Sequence, residues 1–538
     1  MIRKRLIQVF ASLFLAPIFG GLALAEDDVQ YEELVQLFQE FRVMTGVTAG
    51  DVDLIPVVSP DAIQAEALAL TVFQKRLRDI RWSEWSVSKQ IDYHLIRAEM
   101  NGLEFRHRVT KPWFRDPGIY SDMVLFLGER IPHEPKYEDF LRIRKTITSI
   151  PNIYSQAIIN LRDVDNIPSD LADLAIRDLE NGVATFNRLT AALGQNEAKL
   201  AEEIELAAKS NGELLAWLKE HRPSMIATAG IGRENYNWLL KNVYLFPYTW
   251  EELRTIVELE DNRVIAFQKL EENRNEDIPR IKPVQSQAEY KASVAAAIDD
   301  IMAFLNREEI FTMPDYLTPD GYFGSWHGFD RPWPDRHDYF FNFSHREPRV
   351  EEVHEMVGHH FDQLRGQNST HPIRKGWRPY KISTARTEGF AFALEELLMH
   401  AGYLDQRTPR AREIAYEQAA FRTVRALSDI YMHDNQWSLE DAMTYSVANA
   451  PHGELLNDSA HLWFEMATTL RGVGHHMLMV VGKVQFMKLL RDRSQQLGDM
   501  FKLEVFMDEF FASGLIPIAL IRWEMTGYRD EIDRLLME

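Results

Sequence analysis

The chain has 538 residues, of which 46% are hydrophobic, so it is long enough to bury a large core. Its formal net charge of −21 argues against nucleic acid and anionic membrane surfaces as partners, because both would repel an acidic protein. The absence of cysteine excludes disulfide bonds, thiolate metal ligands, a cysteine nucleophile and a lipid-modified N-terminal cysteine.

The N-terminal segment has the three parts of a secretory signal. A basic stretch, Arg3 to Arg5, precedes an apolar run from Leu6 to Leu24, and Ala23 to Ala25 forms a small-residue cleavage pattern before an acidic segment. We therefore predict a signal peptide over residues 1–25 and a periplasmic or secreted mature protein without a stable membrane anchor. A retained membrane anchor is the alternative.

Helical periodicity dominates the mature chain. Apolar residues recur three and four positions apart in these segments: Tyr31 to Val43, Ile63 to Ile80, Lys89 to Phe105, Glu138 to Thr148, Leu171 to Leu193 and Leu200 to Leu218. Two prolines between Ile278 and Pro283 interrupt the pattern and predict a joint. We predict a mainly α fold with an N-terminal helical half, residues 26–285, that walls a cleft, and a C-terminal catalytic half, residues 286–538.

The longest predicted loop, Met313 to Arg349, is rich in proline, glycine and aromatic residues, and its length is typical of a functional lid or rim. Within it, Tyr339 to Phe343 is predicted to form a small β element beside the following helix, either an edge strand that pairs with extended substrate or an internal hairpin. Four side chains of this loop are candidates for lining a pocket, with core packing as the alternative: Trp326, His327, Trp333 and Phe340.

A metal site with its own general base is indicated by the segment His354 to His360, which reads H-E-M-V-G-H-H. Two imidazoles and a carboxylate suit Zn²⁺, and Glu355 can take a proton from water. The usual H-E-x-x-H helix has its histidines four residues apart. A π-type turn eased by Gly358 would absorb one extra residue and bring His359 to His354. The same expansion occurs in the dipeptidyl peptidase III zinc motif, which the H-E-x-x-G-H spelling resembles. His360 stays the alternative ligand.

A second carboxylate, Glu388, opens a segment whose apolar residues favour a buried helix, Glu388 to His400. Because a buried carboxylate is costly unless it is paired or binds a metal, Glu388 is the predicted third ligand of one zinc ion, with water as the fourth. This is the gluzincin arrangement. Glu395 would either hold a ligand histidine from behind or form a surface ion pair. The alternative for the whole motif is a polar helix face without metal.

Six motifs then occur in a fixed order: Tyr339 to Asn342, His354 to His360, Glu388 to Ala393, Arg422 to His433, Trp437 to Ala442 and Val473 to Gly482. In this order, over Tyr339 to Met525, they resemble the motifs of the bacterial domain of unknown function 885 family. The resemblance implies a large, mostly helical, gluzincin-like metallohydrolase fold, and a peptidase in particular. It does not imply a substrate.

The chain departs from the family pattern at two places. The proline that the family carries before its Gly-His-His is missing, so the resemblance does not choose between His359 and His360 as the second histidine ligand. The Pro, Gln and Tyr of the family's last motif are Val473, His475 and Met479 in this chain. Groups that face the substrate have therefore changed more than the metal ligands.

The predicted chemistry is metal-assisted hydrolysis of a peptide or another small amide. Glu355 is the predicted general base, and His475 or His476 donates a hydrogen bond to the developing oxyanion. Arg471 and His433 are weaker candidates for that role or for gripping a substrate carboxylate. The alternatives are hydrolysis of a non-peptide amide or ester, and a degenerate metal- or peptide-binding envelope protein without turnover. Oligomeric state is not predicted.

Overall fold

The computed structural model describes residues 26–46, 59–130, 137–193, 198–322 and 339–537, and these fold almost entirely into helices. The prediction of a mainly α fold is confirmed. The described residues contain one isolated β-bridge, between Pro168 and Ala227, and no strand. Within the same ranges, none of the helices is long and apolar enough to cross a membrane. The predicted signal peptide lies outside the described residues.

Long helices make up the first half of the chain, and side-chain caps begin several of them. Thr249 and Glu252 form a capping box at the start of one helix, and Ser286 caps the next by accepting a hydrogen bond from the backbone of Glu289. The predicted joint at Ile278 to Pro283 lies in the non-helical connection between these two helices. The helices are α1 (Glu26–Thr45), α2 (Pro60–Asp79), α3 (Val87–Phe105), α4 (Pro112–Arg115), α5 (Gly118–Arg130), α6 (Tyr137–Asn160), α7 (Ser169–Leu193), α8 (Ala198–His221), α9 (Arg233–Asn242), α10 (Trp250–Arg274) and α11 (Gln287–Glu308).

The second half of the chain continues the same pattern of helices. They are α12 (Tyr339–Ser344), α13 (Arg349–Glu352), α14 (Phe361–Asn368), α15 (Thr384–His400), α16 (Ala411–His433), α17 (Leu439–Asn449), α18 (Ala460–Arg471), α19 (His475–Leu497), α20 (Leu503–Ala512), α21 (Ile518–Thr526) and α22 (Asp530–Leu536). A π-helical segment, Val353–His360, joins α13 to α14 in one continuous helix.

The prediction of a small β element at Tyr339 to Phe343 is wrong, because this segment is helix α12. Tyr339 and Phe343 lie four residues apart with their ring centroids 4.5 Å from each other, and both side chains are fully buried. The ring of Tyr339 also packs against Phe421 of α16. Aromatic residues four apart bury one face of a helix, whereas a strand would place alternate residues on opposite sides.

Phe340 belongs to the core and does not line a pocket, because it is buried against Phe421 and His461. The other three candidates for pocket lining lie outside the described residues: Trp326, His327 and Trp333.

The largest hydrophobic core contains residues from both sides of residue 285. Helix α10 contributes Leu253, Val257 and Val264 to it, and packs against α16 and α19. A second hydrophobic cluster is formed by the four helices α5, α6, α7 and α8. A third cluster is formed by α1, α2 and α3 together with Ile373. The division into residues 26–285 and 286–538 stays a prediction. The core places a helix of the first half directly against the helices that carry the predicted site.

Helices α15 and α19 cross with their backbones in contact at two glycines. A Cβ atom on Gly389 would lie 2.6 Å from the backbone of Gly482, and one on Gly482 would clash with the backbone of Ala385. The π-helical segment approaches α15 as closely, because a Cβ on Gly358 would lie 2.5 Å from the Cβ of Ala391. Only glycine permits these approaches. They bring the π-helical segment and α19 against the turn of α15 that carries Glu388.

Candidate metal centre

The π-helical segment aligns two histidines that a regular helix would separate. Val353–His360 is π-helical, as predicted from the spacing around Gly358. The wider turn absorbs one residue, so Nε2 of His359 lies 3.1 Å from Nε2 of His354. His360, one position further on, turns away and contacts the carbonyl oxygen of Thr318 at 3.0 Å. The structure therefore brings His359 to the cluster and leaves out His360, the alternative ligand.

Glu388 completes the cluster from the first turns of α15. Its Oε2 atom lies 3.6 Å from Nε2 of His354 and 3.6 Å from Nε2 of His359. Donor atoms about 2.0–2.1 Å from a tetrahedral zinc ion lie about 3.3 Å from one another. The three measured separations bracket that value. The donor set of two imidazole nitrogens and one carboxylate oxygen therefore fits a zinc ion in both chemistry and size.

A buried ion pair holds the ring of His354 from behind. Nδ1 of His354 donates to Glu395 at 2.7 Å, and Glu395 also accepts hydrogen bonds from Arg422 of α16 at 2.7 and 3.0 Å. All three side chains are buried, so the surface ion pair considered for Glu395 is ruled out. A carboxylate on Nδ1 fixes the proton there, so that Nε2, which faces His359 and Glu388, is the nitrogen that can bind a metal ion.

The cluster attracts positive charge. Burial opposes protonation of His354, but the nearby carboxylates of Glu388 and Glu395 outweigh it and raise the pKa of His354 to about 10. The pKa of His359 is also raised, since Glu388 offsets the effect of burial. Burial alone would raise the pKa of Glu388, yet the two histidines hold it well below its ordinary value. A site with these properties binds protons when it is metal-free and would exchange them for a divalent cation.

Glu355 has a carboxylate that is available for chemistry. It lies on the π-helical segment between the two histidines, is partly exposed, and forms no hydrogen bond or ion pair with the described residues. One turn earlier, Glu351 is buried and accepts a hydrogen bond from Gln418 at 3.0 Å. Burial and the nearby charge of Glu355 raise the pKa of Glu351. The position and freedom of Glu355 suit a general base.

The two histidines at the start of α19 have different surroundings. His475 is partly exposed, and its Nδ1 atom accepts a hydrogen bond from the ammonium of Lys381 at 3.3 Å. Burial, and then the charge of Lys381, lower the pKa of His475 to about 4. A neutral imidazole that accepts at Nδ1 carries its proton on Nε2, where it can donate. His476 is 2% exposed and lies 3.5 Å from Glu465, so the structure leaves it out of reach of a substrate.

Asp429 of α16 fixes the beginning of α19. Its two carboxylate oxygens accept hydrogen bonds from three backbone amides, those of Gly474 at 2.9 Å, His476 at 3.0 Å and Met477 at 3.3 Å. Burial raises the pKa of Asp429 to about 7, although these backbone donors oppose the rise. The carboxylate satisfies amides that a helix start leaves without partners, and it thereby positions His475.

The two weaker candidates from the sequence have structural roles instead. Arg471 forms ion pairs with three aspartates of the first half, Asp116, Asp122 and Asp178. His433 is fully buried, and its Nε2 contacts the carbonyl oxygen of Thr469 at 3.0 Å. Arg471 thus joins α18 to α5 and α7, and His433 joins α16 to α18. The prediction that either one binds substrate is not supported by these contacts.

Fold and site together define a class: a mainly α-helical protein in which a π-helical segment brings two histidines together beside a glutamate of the neighbouring helix α15. The chain belongs to the family described as "Bacterial protein of unknown function (DUF885)", which matches residues 40–525. The resemblance deduced from the order of the motifs is confirmed at the level of the family. No curated protein matches the chain.

Two solved structures share the fold. One is a "putative lipoprotein of unknown function" from Shewanella oneidensis, with a TM-score of 0.67 and 14% sequence identity over 93% of this chain and 100% of that one. The other is a "putative lipoprotein" from Colwellia psychrerythraea, with a TM-score of 0.66 and 14% identity over 94% of this chain and 99% of that one. At this level of identity the likeness concerns the fold alone.

Sequence reasoning missed three residues that organise the site. Arg422 appeared only as the start of a motif, yet an arginine that follows Ala419, Ala420 and Phe421 in a helix is a signal of a buried carboxylate partner. Asp429 and Lys381 carried no local signal, because each lies far in sequence from the start of α19, which it contacts. Tertiary packing alone brings them to His475.

Proposed function

We propose that the protein is a zinc-dependent hydrolase that cleaves peptide bonds. One observation carries the proposal: the donor atoms of His354, His359 and Glu388 lie 3.1, 3.6 and 3.6 Å apart, the spacing of ligands around one tetrahedral zinc ion. Three protein ligands with a fourth position open are typical of catalytic zinc sites, whereas structural sites are closed by four protein ligands.

Zinc held by these residues would supply a Lewis acid and a water whose pKa falls towards about 7. Glu355 accepts the proton of the attacking water and returns it to the leaving amine. Nε2 of His475 donates to the developing oxyanion, because Lys381 occupies Nδ1 of the same ring. Glu395 and Arg422 keep the ring of His354 in the orientation that binding requires.

Peptides and other small amides are the proposed substrates, with a non-peptide amide or an ester as the alternative. A metal- or peptide-binding protein without turnover is the competing proposal. The free carboxylate of Glu355 favours an enzyme, because a site used only for binding has no need of an unpaired carboxylate beside its ligands. Turnover is therefore the property to measure first.

We place this activity in the cell envelope, either in the periplasm or in the secreted fraction. The secretory pattern of residues 1–25 supports this, as does the likeness in fold to two proteins described as lipoproteins. A cysteine-linked lipid cannot anchor this chain, since the sequence contains no cysteine. The proposed mature protein is released after signal cleavage.

The test begins with the zinc content of the purified mature protein. We expect about one zinc per chain in the wild type, loss of zinc in H354A, H359A and E388A, and retention of zinc in H360A. H360A is the matched control, since the ring of His360 faces Thr318 instead of the cluster. Absence of zinc from the wild type after reconstitution would refute the metal site.

The second step separates an enzyme from a binding protein. The variant E355Q should keep its zinc and lose about 10²–10⁴-fold in the hydrolysis of a fluorogenic peptide library, because the amide cannot accept a proton. Unchanged turnover in zinc-loaded E355Q would remove Glu355 from the mechanism. Zinc binding without turnover of any peptide, amide or ester by the wild type would favour the binding protein.

A further inference from the structure

Lys381 is a cation without a carboxylate partner at the edge of the metal cluster. Its ammonium contacts Nδ1 of His475 and forms no ion pair with any described carboxylate, although it interacts electrostatically with Glu388 and Asp429. Burial lowers the pKa of Lys381, and the two carboxylates oppose that effect. The side chain of Lys381 is partly exposed, and even the partial removal of a charge from water is costly when the charge is unpaired, so this position calls for an explanation.

Other buried cations near the site are paired. Arg422 is neutralised by Glu395, Arg386 by Asp362, and Lys483 by Glu260 and Glu396. Lys483 is the closest comparison, because it is also a lysine, and it has two carboxylates within 2.8 Å. Unlike these three cations, Lys381 has no carboxylate partner among the described residues.

The backbone holds Lys381 in place at some cost. Tyr380 and Lys381 have φ angles of 57° and 58°, in the left-handed region that residues other than glycine seldom adopt. The ring of Tyr380 fits against α3 only because Gly102 has no side chain, and a Cβ on Gly472 would lie 3.0 Å from Nζ of Lys381. Strained residues in a close-fitting cradle occur preferentially at binding sites.

We propose that Lys381, with His475 beside it, binds the free C-terminal carboxylate of the substrate. This inference rests on the proposed function and names its substrate class: short peptides from which the enzyme releases one C-terminal residue. The ammonium retains N–H donors after its hydrogen bond to His475, so it supplies the charged partner that a carboxylate requires.

The position of Lys381 selects a carboxylate close to the scissile bond. The lysine lies one imidazole ring away from Nε2 of His475, the donor proposed for the oxyanion. Consecutive Cα atoms are about 3.8 Å apart. When the scissile carbonyl oxygen lies at Nε2 of His475, the carboxylate of the next residue therefore lies about as far away as the ammonium of Lys381. A carboxylate two or more residues further along would pass beyond the lysine.

The same loop offers an apolar surface for the departing residue. Trp377 is 47% exposed, and its ring centroid lies 6.2 Å from that of His359. A large exposed aromatic ring beside a metal cluster is suited to contact with an apolar or aromatic side chain. Phenylalanine is therefore the C-terminal residue with which to probe the site.

The experiment compares free acids with amides, both in binding and in turnover. Phenylalanine and phenylalanine amide are titrated into the zinc-loaded protein by calorimetry. An acylated dipeptide that ends in phenylalanine, and the same peptide with a C-terminal amide, are then assayed as substrates. The proteins are the wild type, K381M, K381R and K375M. Lys375 lies exposed in the same loop, so K375M is the matched control.

We expect the wild type to prefer the free acid, and K381M to lose about 10- to 100-fold in affinity for the acid with little change in affinity for the amide. In turnover, kcat/KM of K381M should fall for both peptides, because His475 loses its hydrogen bond, and should fall about 10- to 100-fold further for the acid. K381R should recover part of the loss, and K375M should match the wild type. Zinc content should be the same in all four proteins. These results together would establish a carboxylate site.

Three results would overturn the proposal or separate it from the proposed function. Equal binding of acid and amide by the wild type would refute the carboxylate site. An equal loss for acid and amide in K381M would show that Lys381 only orients His475. Preference for the free acid in binding, together with no turnover of these peptides or of any peptide, amide or ester in the library, would leave the carboxylate site standing and refute the hydrolase.

Discussion

The ion pair between Glu395 and Arg422, on the far side of the His354 ring, allows a sharp test of how the proposed zinc site is supported. We consider the variant Glu395→Gln, which keeps the shape of the side chain and removes its charge. The wild-type carboxylate accepts from Nδ1 of His354 at 2.7 Å and from Arg422 at 2.7 and 3.0 Å, with all three side chains buried. The substitution therefore weakens the hydrogen bond that supports His354, a proposed zinc ligand. It also leaves the buried guanidinium of Arg422 without a negatively charged partner.

Two effects of different kind follow from this geometry. Loss of a carboxylate on the far nitrogen of a ligand histidine typically costs 10- to 100-fold in metal affinity, which is about 1.4–2.7 kcal/mol. Loss of one partner from a buried ion pair destabilises the fold by about 3–5 kcal/mol. We expect the lower end, about 3 kcal/mol, because the glutamine oxygen still accepts one hydrogen bond.

The assay separates the two effects by means of a neighbouring carboxylate. Glu396 is the next residue on α15 and pairs with Arg263 and Lys483, away from His354. Zinc affinity is measured by competition with a chelator of known affinity, and the stability of the metal-free protein by thermal unfolding. E395Q and E396Q should both unfold at lower temperature, and only E395Q should bind zinc more weakly. Equal zinc affinity in the two variants would refute the argument.

Three further predictions follow from the packing and charge of the site. Gly389→Ala should destabilise the protein by about 1–3 kcal/mol and lower its zinc content, because the new Cβ would lie 2.6 Å from the backbone of Gly482. Gly212→Ala in α8 is the control: nothing lies within 4 Å of its Cβ, so thermal unfolding should show a stabilisation of about 0.5–1 kcal/mol. Asp429→Ala should cost about 2 kcal/mol, since three amides lose their acceptor, and should lower kcat while zinc content stays constant; unchanged kcat would contradict its positioning of His475. In metal-free protein the pKa of His354 is raised from 6.5 to about 10, so its contribution to stability is complete below pH 6.5 and is lost as the pH rises to about 10. Denaturation of chelator-treated protein across this range should show that decline, and a flat profile would count against the charged cluster.

The spacing of a few residues was sufficient to predict the local geometry of the site. An insertion of one residue between His354 and the next histidine, next to Gly358, predicts a π-type turn, and the segment Val353–His360 is π-helical. The sequence could not choose between His359 and His360, because the family pattern has a proline that this chain lacks. In the structure the wider π-type turn points the side chain of His359 towards His354 and that of His360 away from it, so His359 joins the cluster.

The error at Tyr339 to Phe343 has a related cause. A short run of aromatic residues is compatible with a strand or a helix, and only the partner surface decides between them. In the structure that surface is Phe421 of α16, against which aromatic residues four apart can bury one face. The periodicity of a five-residue segment is too short to show this.

The amino-acid sequence by itself determined the helical class, the family, and the set of residues from which a zinc site could be built. These depend on local periodicity and on the order of motifs, which a linear chain displays directly. The tertiary structure decided which of those residues meet, and added Arg422, Asp429 and Lys381. His354 is supported, and Lys381 is left without a carboxylate partner, at the place where α15, α16, α19 and the loop before α15 meet. Which helices meet there depends on which of their faces pack together.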